Sequence, residues 1–351
     1  MDSNNNIEQL FSDNISKILN DNNINLLENI AVALSGGCDS MALAFLLKDY
    51  CCKNNITLKA ITIDHQIRDD SHIEAKMIND LMTKHDIDHC TIKIDKNNIK
   101  SSNTEANLRQ HRYQLLHDFC LKNNIKYLFV GHHLSDIAEN YLIRLFRGSG
   151  LDGLSPIADF KEYDNIYLIR PLLNIYKDDL KNYLNKKNII WFEDSSNKDE
   201  KFLRNKIRNF LQTLPDSKLI EQRISNTSSH IAKIRDNFDD YLAYSIKKTI
   251  KHSDKSYLID KINFFDLEEE VALKILALIL MEVGQRNYKP RILKLRNLYQ
   301  KLKNFDKKMI NFYGCTIANN NNYLKISCEN NDKIKRFKSH EVSKIKYFLT
   351  K

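Results

Sequence analysis

Short apolar runs rich in β-branched residues recur through the first half of the chain, at Ile30 to Leu34, Leu58 to Ile63, Cys90 to Ile94 and Tyr127 to Val130. Between them lie stretches with helical spacing of apolar positions, Met41 to Cys52, Ile73 to His85 and Thr104 to Lys122. Strand and helix in alternation predict a parallel sheet covered by helices, an α/β fold. In such sheets ligands gather at the carboxyl ends of the strands. The distinctive polar groups do follow strands here: Ser35-Gly36 after the first, Asp64-His65 after the second and Gly131-His132-His133 after the fourth.

Beyond Pro215 the pattern changes. Two long helical stretches are expected, Lys218 to Thr249 and Leu267 to Leu302, the second with an apolar stripe from Val271 to Leu280 that reads as core. The last fifty residues read as β-rich, with Met309 to Ile317, a turn through Asn319 to Asn322, and Tyr323 to Ser327. Three units follow: a nucleotide-type α/β unit over 1–215, a helical unit over 216–303 and a small basic β-rich unit over 304–351.

With 351 residues, 42% of them hydrophobic, the chain can bury real cores. Its longest apolar run, Ile275 to Met281, is far below the ~18 residues of a membrane span. The start, Met1 to Asn6, is polar rather than basic and then apolar, so neither secretion nor membrane insertion is expected. Seven cysteines, at 38, 51, 52, 90, 120, 315 and 328, show no CxxC or ribbon spacing, which fits a reducing cytoplasm. The net charge of +9 is uneven, about −2 up to Pro215 and +11 from Asp216 onward. A basic second half suggests a polyanionic partner held mainly there.

The chain has only 8 glycines, and six of them lie between Gly36 and Gly153. Two stand in Ser35-Gly36-Gly37-Cys38-Asp39-Ser40, between the first strand and the first long helix. Such a turn aims backbone N–H groups, two hydroxyls and a positive helix end at a ligand, which suits a phosphate chain. Asp39 would repel a bare phosphate, so its place in the loop makes sense if Mg²⁺ lies between the carboxylate and a pyrophosphate. There is no Lys before the final Ser, as GxxxxGK[ST] requires, and no GxGxxG spacing. Cys38 is the variable position.

Serine-glycine-glycine-x-aspartate-serine after a strand resembles the pyrophosphate loop of the N-type ATP pyrophosphatases. With it, in order, come Asp64 to Arg68, Glu105 to Tyr113, Gly131 to Gly153, Arg170 to Leu173, Trp191 to Asn197 and Arg204 to Arg208. This set resembles the tRNA(Ile)-lysidine synthetase family over roughly Ala31 to Leu211. The resemblance implies a Rossmann-like ATP-pyrophosphatase domain followed by a helical tRNA-binding domain and a small β-rich domain. It also implies an enzyme that uses ATP and Mg²⁺ to join free lysine to C2 of the wobble cytidine in a CAU-anticodon isoleucine tRNA. ATP binding then falls to Ser35, Gly36, Gly37, Cys38, Asp39, Ser40, Asp64, His65 and His132, with Asp39 holding Mg²⁺ through the phosphates.

Asp136 and Glu139, spaced i and i+3, can present two carboxylates on one helix face, and they match family positions thought to handle lysine. The family usually carries an acid where this chain has Ser135, and Thr at Asn140. Arg109 with Arg112, and Arg204 with Arg208, form pairs able to face phosphate, RNA or the lysine carboxylate. Arg112 and Arg204, which fall in the resembling motifs, join Asp39, Asp136 and Glu139 as expected catalytic residues. His132 and His133 lack a third ligand at metal-site spacing, so phosphate or base contacts suit them better than zinc. Two rival readings remain: a tRNA 2-thiolation enzyme, which needs paired cysteines or cluster ligands, and a nucleotide-binding module without turnover.

Overall fold

A computed structural model describes residues 7–25, 29–64, 71–94, 105–192, 203–253, 256–286, 288–304, 308–329, 345 and 348. The chain forms two compact units, Met1–Ala232 and Lys233–Lys351. The first is built on a six-stranded sheet of β1 (Ile30–Ala33), β2 (Leu58–Asp64), β3 (Asp88–Lys93), β4 (Tyr127–Phe129), β5 (Phe160–Tyr163) and β6 (Ile166–Ile169). Its strand order is β3-β2-β1-β4-β6-β5, with every pairing parallel except the β5–β6 hairpin at the edge. Ile30 stands opposite Leu58 on one side and Tyr127 on the other, so β1 is the central strand from which the phosphate loop springs.

Alternation along β1 sends Ile30 and Val32 into one core and Ala31 into the other, and both cores are built of buried apolar side chains. The larger core is filled by α1 (Ile7–Asp21), α2 (Cys38–Asn54) and α7 (Lys177–Lys186). Helix α2 buries Met41 to Leu47 in one unbroken run. That fixes the helix, and with it the loop at its N-terminus. On the other face α4 (Glu105–Lys122) places Leu116 and Cys120 against Leu128 and Leu168.

The unit also contains α3 (Ser71–Lys84), α5 (Leu134–Phe146), the single turn α6 (Leu151–Leu154), α8 (Leu203–Thr213) and the start of α9 (Ser217–Thr249). Ala138 of α5 packs on Ile207 and Leu211 of α8, with Ile220 and Ile224 of α9 against them.

In the second unit the strands are antiparallel: β7 (Ile250–Ser253), β8 (Ser256–Asp260), β9 (Met309–Phe312), β10 (Cys315–Asn319) and β11 (Tyr323–Cys328), in the order β7-β8-β11-β10-β9. Helices α10 (Lys261–Phe265), α11 (Glu269–Val283) and α12 (Ile292–Lys303) pack on them. One core runs from Leu242 through α11 to Ile317, Ile326 and Phe348. The helical and β-rich segments therefore share a core and a sheet, where three units were expected from the sequence. The stretch Leu267 to Leu302 breaks at Gly284, where a Cβ would run into the carbonyl oxygens of Tyr313 and Leu280. Met309 to Ile317 is two strands, because Tyr313 at φ 60° and Gly314 at φ 81° make a tight turn. No helix among the described residues is long and apolar enough to cross a membrane.

Candidate active site

The phosphate loop is organised by its two serines. Ser40 Oγ accepts from Ser35 N–H at 3.1 Å, lies 3.0 Å from Ser35 Oγ and donates to Gly37 O at 3.0 Å. Gly36 sits at φ 82°, in the left-handed region, where a Cβ would also strike the Ile78 side chain. Gly37 caps α2, so the first N–H groups of that helix face the loop. Gly131, just past β4, supplies the other wall. A Cβ there would stand 3.1 Å from Asp39 C and O and 3.2 Å from Ser40 Cα, so only glycine lets the two segments close up.

Asp39, in the first turn of α2, aims Oδ2 at His133 Nε2 (3.5 Å) and at Lys177 Nζ (3.6 Å). Its Oδ1 is buried with no hydrogen-bond partner. Burial raises the Asp39 pKa, but the His133 hydrogen bond and the charges of His133 and Lys177 outweigh that effect and the net shift is downward. Asp39 is thus an ionised carboxylate with one free oxygen beside a phosphate-type loop. That donor fits Mg²⁺, which typically takes one or two carboxylates together with substrate phosphates. Among the described residues no group of three His, Cys, Asp or Glu forms a separate metal site.

His133 lies between two acids, with Nε2 also 3.7 Å from Asp136 Oδ2. Burial lowers the His133 pKa, while Asp136 and Asp39 raise it further, for a net upward shift. Asp136 goes the other way. Burial raises its pKa, but His133, His132, Arg204 and the backbone N–H of His133, at 3.0 Å from Oδ2, bring it down to about 2. The result is an imidazole with a raised pKa set between two carboxylates at the start of α5.

Glu139 is only 1% exposed, and its carboxylate is occupied. Arg204 Nε donates to Oε2 at 2.9 Å and Arg208 Nε to Oε1 at 2.7 Å, while Arg204 Nη2 lies 3.5 Å from Asp136 Oδ1. The i and i+3 spacing does bring Asp136 and Glu139 together, but both are bound to cations from α8.

A second cluster is cationic. Arg109 and Arg112 of α4 lie over the Tyr113 ring, 5.3 and 6.0 Å from its centre. Arg109 Nη2 is 3.2 Å from His132 Nε2. Arginine has no acceptor, so His132 must accept through Nε2 and carry its proton on Nδ1. Burial, outweighing Asp136 and reinforced by Arg170, Arg109 and Arg204, drives the His132 pKa to about 3, so the ring is neutral. Its Nδ1 is buried without a partner, as is Nε of Arg170, which follows β6 and is 6% exposed. Two buried donors thus stand ready for an anion or a base edge. Asp64 is buried at the end of β2, 4% exposed. His65 and Glu193 to Asn197 lie outside the described residues.

Between α5, α7, α8 and α9 is a cavity of 260 Å³ lined by His133, Ser135, Glu139, Lys177, Arg208 and Glu221, among others. It adjoins the phosphate loop, because His133 and Lys177 reach both. Ser135 Oγ donates to Glu221 Oε2 at 2.7 Å. Tyr176 OH donates to Gln222 Oε1 at 3.2 Å, and Lys218 Nζ lies 2.7 Å from Asp178 Oδ2, tying α7 to α9. Lys177 and Glu221 escaped the reading of the sequence. Lys177 follows Arg170-Pro171-Leu172-Leu173 at a helix start, a position that could have been noticed; Glu221 is 86 residues from its partner and carries no local signal.

Residues 6–214 match the PP-loop domain family, which makes this first unit an ATP-binding unit of the pyrophosphatase type. The chain is 34% identical over 296 residues to the tRNA(Ile)-lysidine synthase of Wolbachia pipientis wMel, covering 82% of this chain and 67% of that protein. It is 36% identical over 270 residues to the enzyme of the same name from Orientia tsutsugamushi strain Boryong, covering 75% and 60%, and 33% identical over 317 residues to that of Rickettsia typhi strain Wilmington, covering 89% and 72%. The chain belongs to the tRNA(Ile)-lysidine synthase family, and the aligned parts span about two thirds of those relatives' lengths. In fold the chain is similar to the U34-tRNA thiolase NcsA from Methanococcus maripaludis, with a TM-score of 0.52 at 19% identity over 65% of this chain and 78% of that one.

Proposed function

We propose that the protein is an ATP-dependent ligase that attaches free lysine to C2 of the wobble cytidine of a CAU-anticodon isoleucine tRNA. In the first step the cytidine O2 attacks the α-phosphorus of ATP, the bond to the β-phosphate bridging oxygen breaks and pyrophosphate leaves. In the second, the lysine ε-amine attacks C2, the C2–O2 bond breaks and AMP departs, while the amine loses a proton. The observation that carries this reading is the junction of Asp39, His133 and Asp136. It sets a phosphate loop directly against an acid-bearing helix within a chain of this family.

The backbone N–H groups from Ser35 to Ser40 hold the pyrophosphate, and Lys177 faces the same anion across Asp39. Asp39 Oδ1 would hold Mg²⁺, which when bound would supply positive charge to offset that of the departing pyrophosphate. His132 Nδ1–H, Arg109, Arg112 and Arg170 supply donors for the α-phosphate or the cytosine edge. Lysine's ε-ammonium, with a reference pKa of ~10.4, must be held and deprotonated, and Asp136 is the acid placed nearest the loop. Glu139 acts through Arg204 and Arg208, which it fixes in place. Exposed lysines of the second unit, Lys247 and Lys248 among them, hold tRNA phosphates.

The thiolation alternative is less well supported. Burial pushes the thiols of Cys51, Cys120 and Cys315 up to about 12, the reverse of what a sulfur carrier needs. The test is transfer of labelled lysine into tRNA with ATP, in a product that survives the mild base that strips aminoacyl esters. A CAU-anticodon isoleucine transcript should be labelled and a GAU transcript should not; absence of label in both would remove the proposal.

A further inference from the structure

The carboxylates around the cavity differ in their partners. Glu139 is gripped by Arg204 and Arg208, and Asp178 lies against Lys218. Glu221 instead meets a hydroxyl, Ser135 Oγ. It is half-buried on α9, and among the described residues no lysine or arginine lies within ion-pair distance of it. A half-buried carboxylate without a counter-ion is poorly solvated and gains most from a cation that arrives with a ligand.

We propose that Glu221 is a substrate-specificity residue that takes the α-ammonium of the free amino acid, with Ser135 holding its carboxylate in place. This rests on the lysine-ligase reading given above. The cavity has walls of both signs, Glu221 against Lys177, Lys181 and Arg208, as the zwitterionic head of an amino acid requires. With 260 Å³ the cavity has room for a small ligand of this kind rather than for a lone water. The two amines of lysine also make different demands. The ε-amine has to shed a proton before it can attack, whereas the α-ammonium keeps its protons throughout and needs a lasting anionic partner. Burial and the nearby carboxylates of Glu139 and Asp178 push the Glu221 pKa up, against the opposing pull of the Ser135 hydrogen bond and of His133, so an incoming cation would be welcomed there.

The test uses the full chain, with Glu221→Gln compared with wild type in lysine-transfer assays. Removing one charged hydrogen-bond partner should raise KM for lysine by about tenfold or more, with KM for ATP and lysine-independent pyrophosphate release unchanged. Ser135→Ala, which leaves the charge in place, should give a smaller rise of the same kind, and keeps the question answerable if Glu221→Gln does not fold. The competitor 6-aminohexanoate keeps the ε-amine and the carboxylate but lacks the α-ammonium. Its inhibition constant against lysine should be the same in wild type and Glu221→Gln. An unchanged lysine KM in both variants, or an equal loss for lysine and 6-aminohexanoate, overturns the assignment and leaves the ligase reading standing. A wild-type protein that transfers no lysine overturns the ligase reading itself.

Discussion

His133 Nε2 stands 3.5 Å from Asp39 Oδ2, and this pair joins the phosphate loop at the end of β1 to the helix that follows β4. Two segments almost a hundred residues apart thereby become one electrostatic unit, since His133 also faces Asp136. The close approach depends on Gly131.

The pair predicts a pH dependence with a definite sign. Asp136 has a folded pKa of about 2 against an ordinary value of about 3.9, so its contribution to stability is present above about pH 4 and lost as pH falls through 2. His133 has a folded pKa above its ordinary value of about 6.5, so its contribution is full below about pH 6.5 and lost as pH rises through the folded value. Thermal unfolding followed across pH should show both limbs, and His133→Gln should remove the alkaline one. An unaltered alkaline limb in that variant would assign the titration to another group.

Asp39→Asn should cut lysine transfer by about 10²-fold or more, the scale of losing one transition-state electrostatic partner, without unfolding the protein. The amide keeps the shape but cannot hold a divalent cation as a carboxylate does. Assays over a Mg²⁺ series, alongside circular dichroism, separate the two effects. Activity within a few-fold of wild type would take the metal role from Asp39.

Glu139→Gln is expected to act first on stability. Its carboxylate is 2% exposed and bound by two arginines, and removing one side of such a buried pair typically costs about 3–5 kcal/mol. Denaturant titration measures this directly. A loss below about 1 kcal/mol, with a large rise in lysine KM, would return Glu139 to the lysine-holding role implied by the family resemblance.

These contrasts show what could be read from the sequence. The strand, loop and helix from Ile30 to Leu47 were legible because apolar periodicity changes at two glycines, and local chemistry alone sets that turn. Glu139 was legible as a neighbour of Asp136 on α5, but its arginines come from α8, 65 and 69 residues away, and no local pattern announces such a pairing. The β9–β10 hairpin was hidden for another reason. Its turn places a tyrosine, Tyr313, at positive φ, so an apolar run looks continuous where the chain reverses. The β5–β6 hairpin carried a usable signal in Asp164-Asn165, both at positive φ, a residue pair that tolerates the left-handed region.

Gly131→Ala tests the junction itself. The added methyl must displace Asp39 or Ser40 backbone atoms 3.1 to 3.2 Å away. Overpacking of this kind typically costs about 1–3 kcal/mol. ATP binding should weaken more than tRNA binding, and isothermal titration with a non-hydrolysable ATP analogue reads it. Unchanged ATP affinity would show that the loop can yield without losing its form.

Lys247 and Lys248 are exposed in the last turn of α9. Replacing both by alanine should weaken tRNA binding. The slope of log affinity against log salt should flatten by roughly 0.7 to 0.9 for each phosphate the protein no longer neutralises. An unchanged slope would place the tRNA elsewhere.

The most direct test of the account is the mass of the wobble nucleoside after reaction. With ATP, Mg²⁺ and lysine, the cytidine of the CAU anticodon should gain one lysine less one water, and one AMP and one pyrophosphate should appear for each nucleoside changed. A wobble cytidine of unaltered mass, or one that exchanges oxygen for sulfur, contradicts the account.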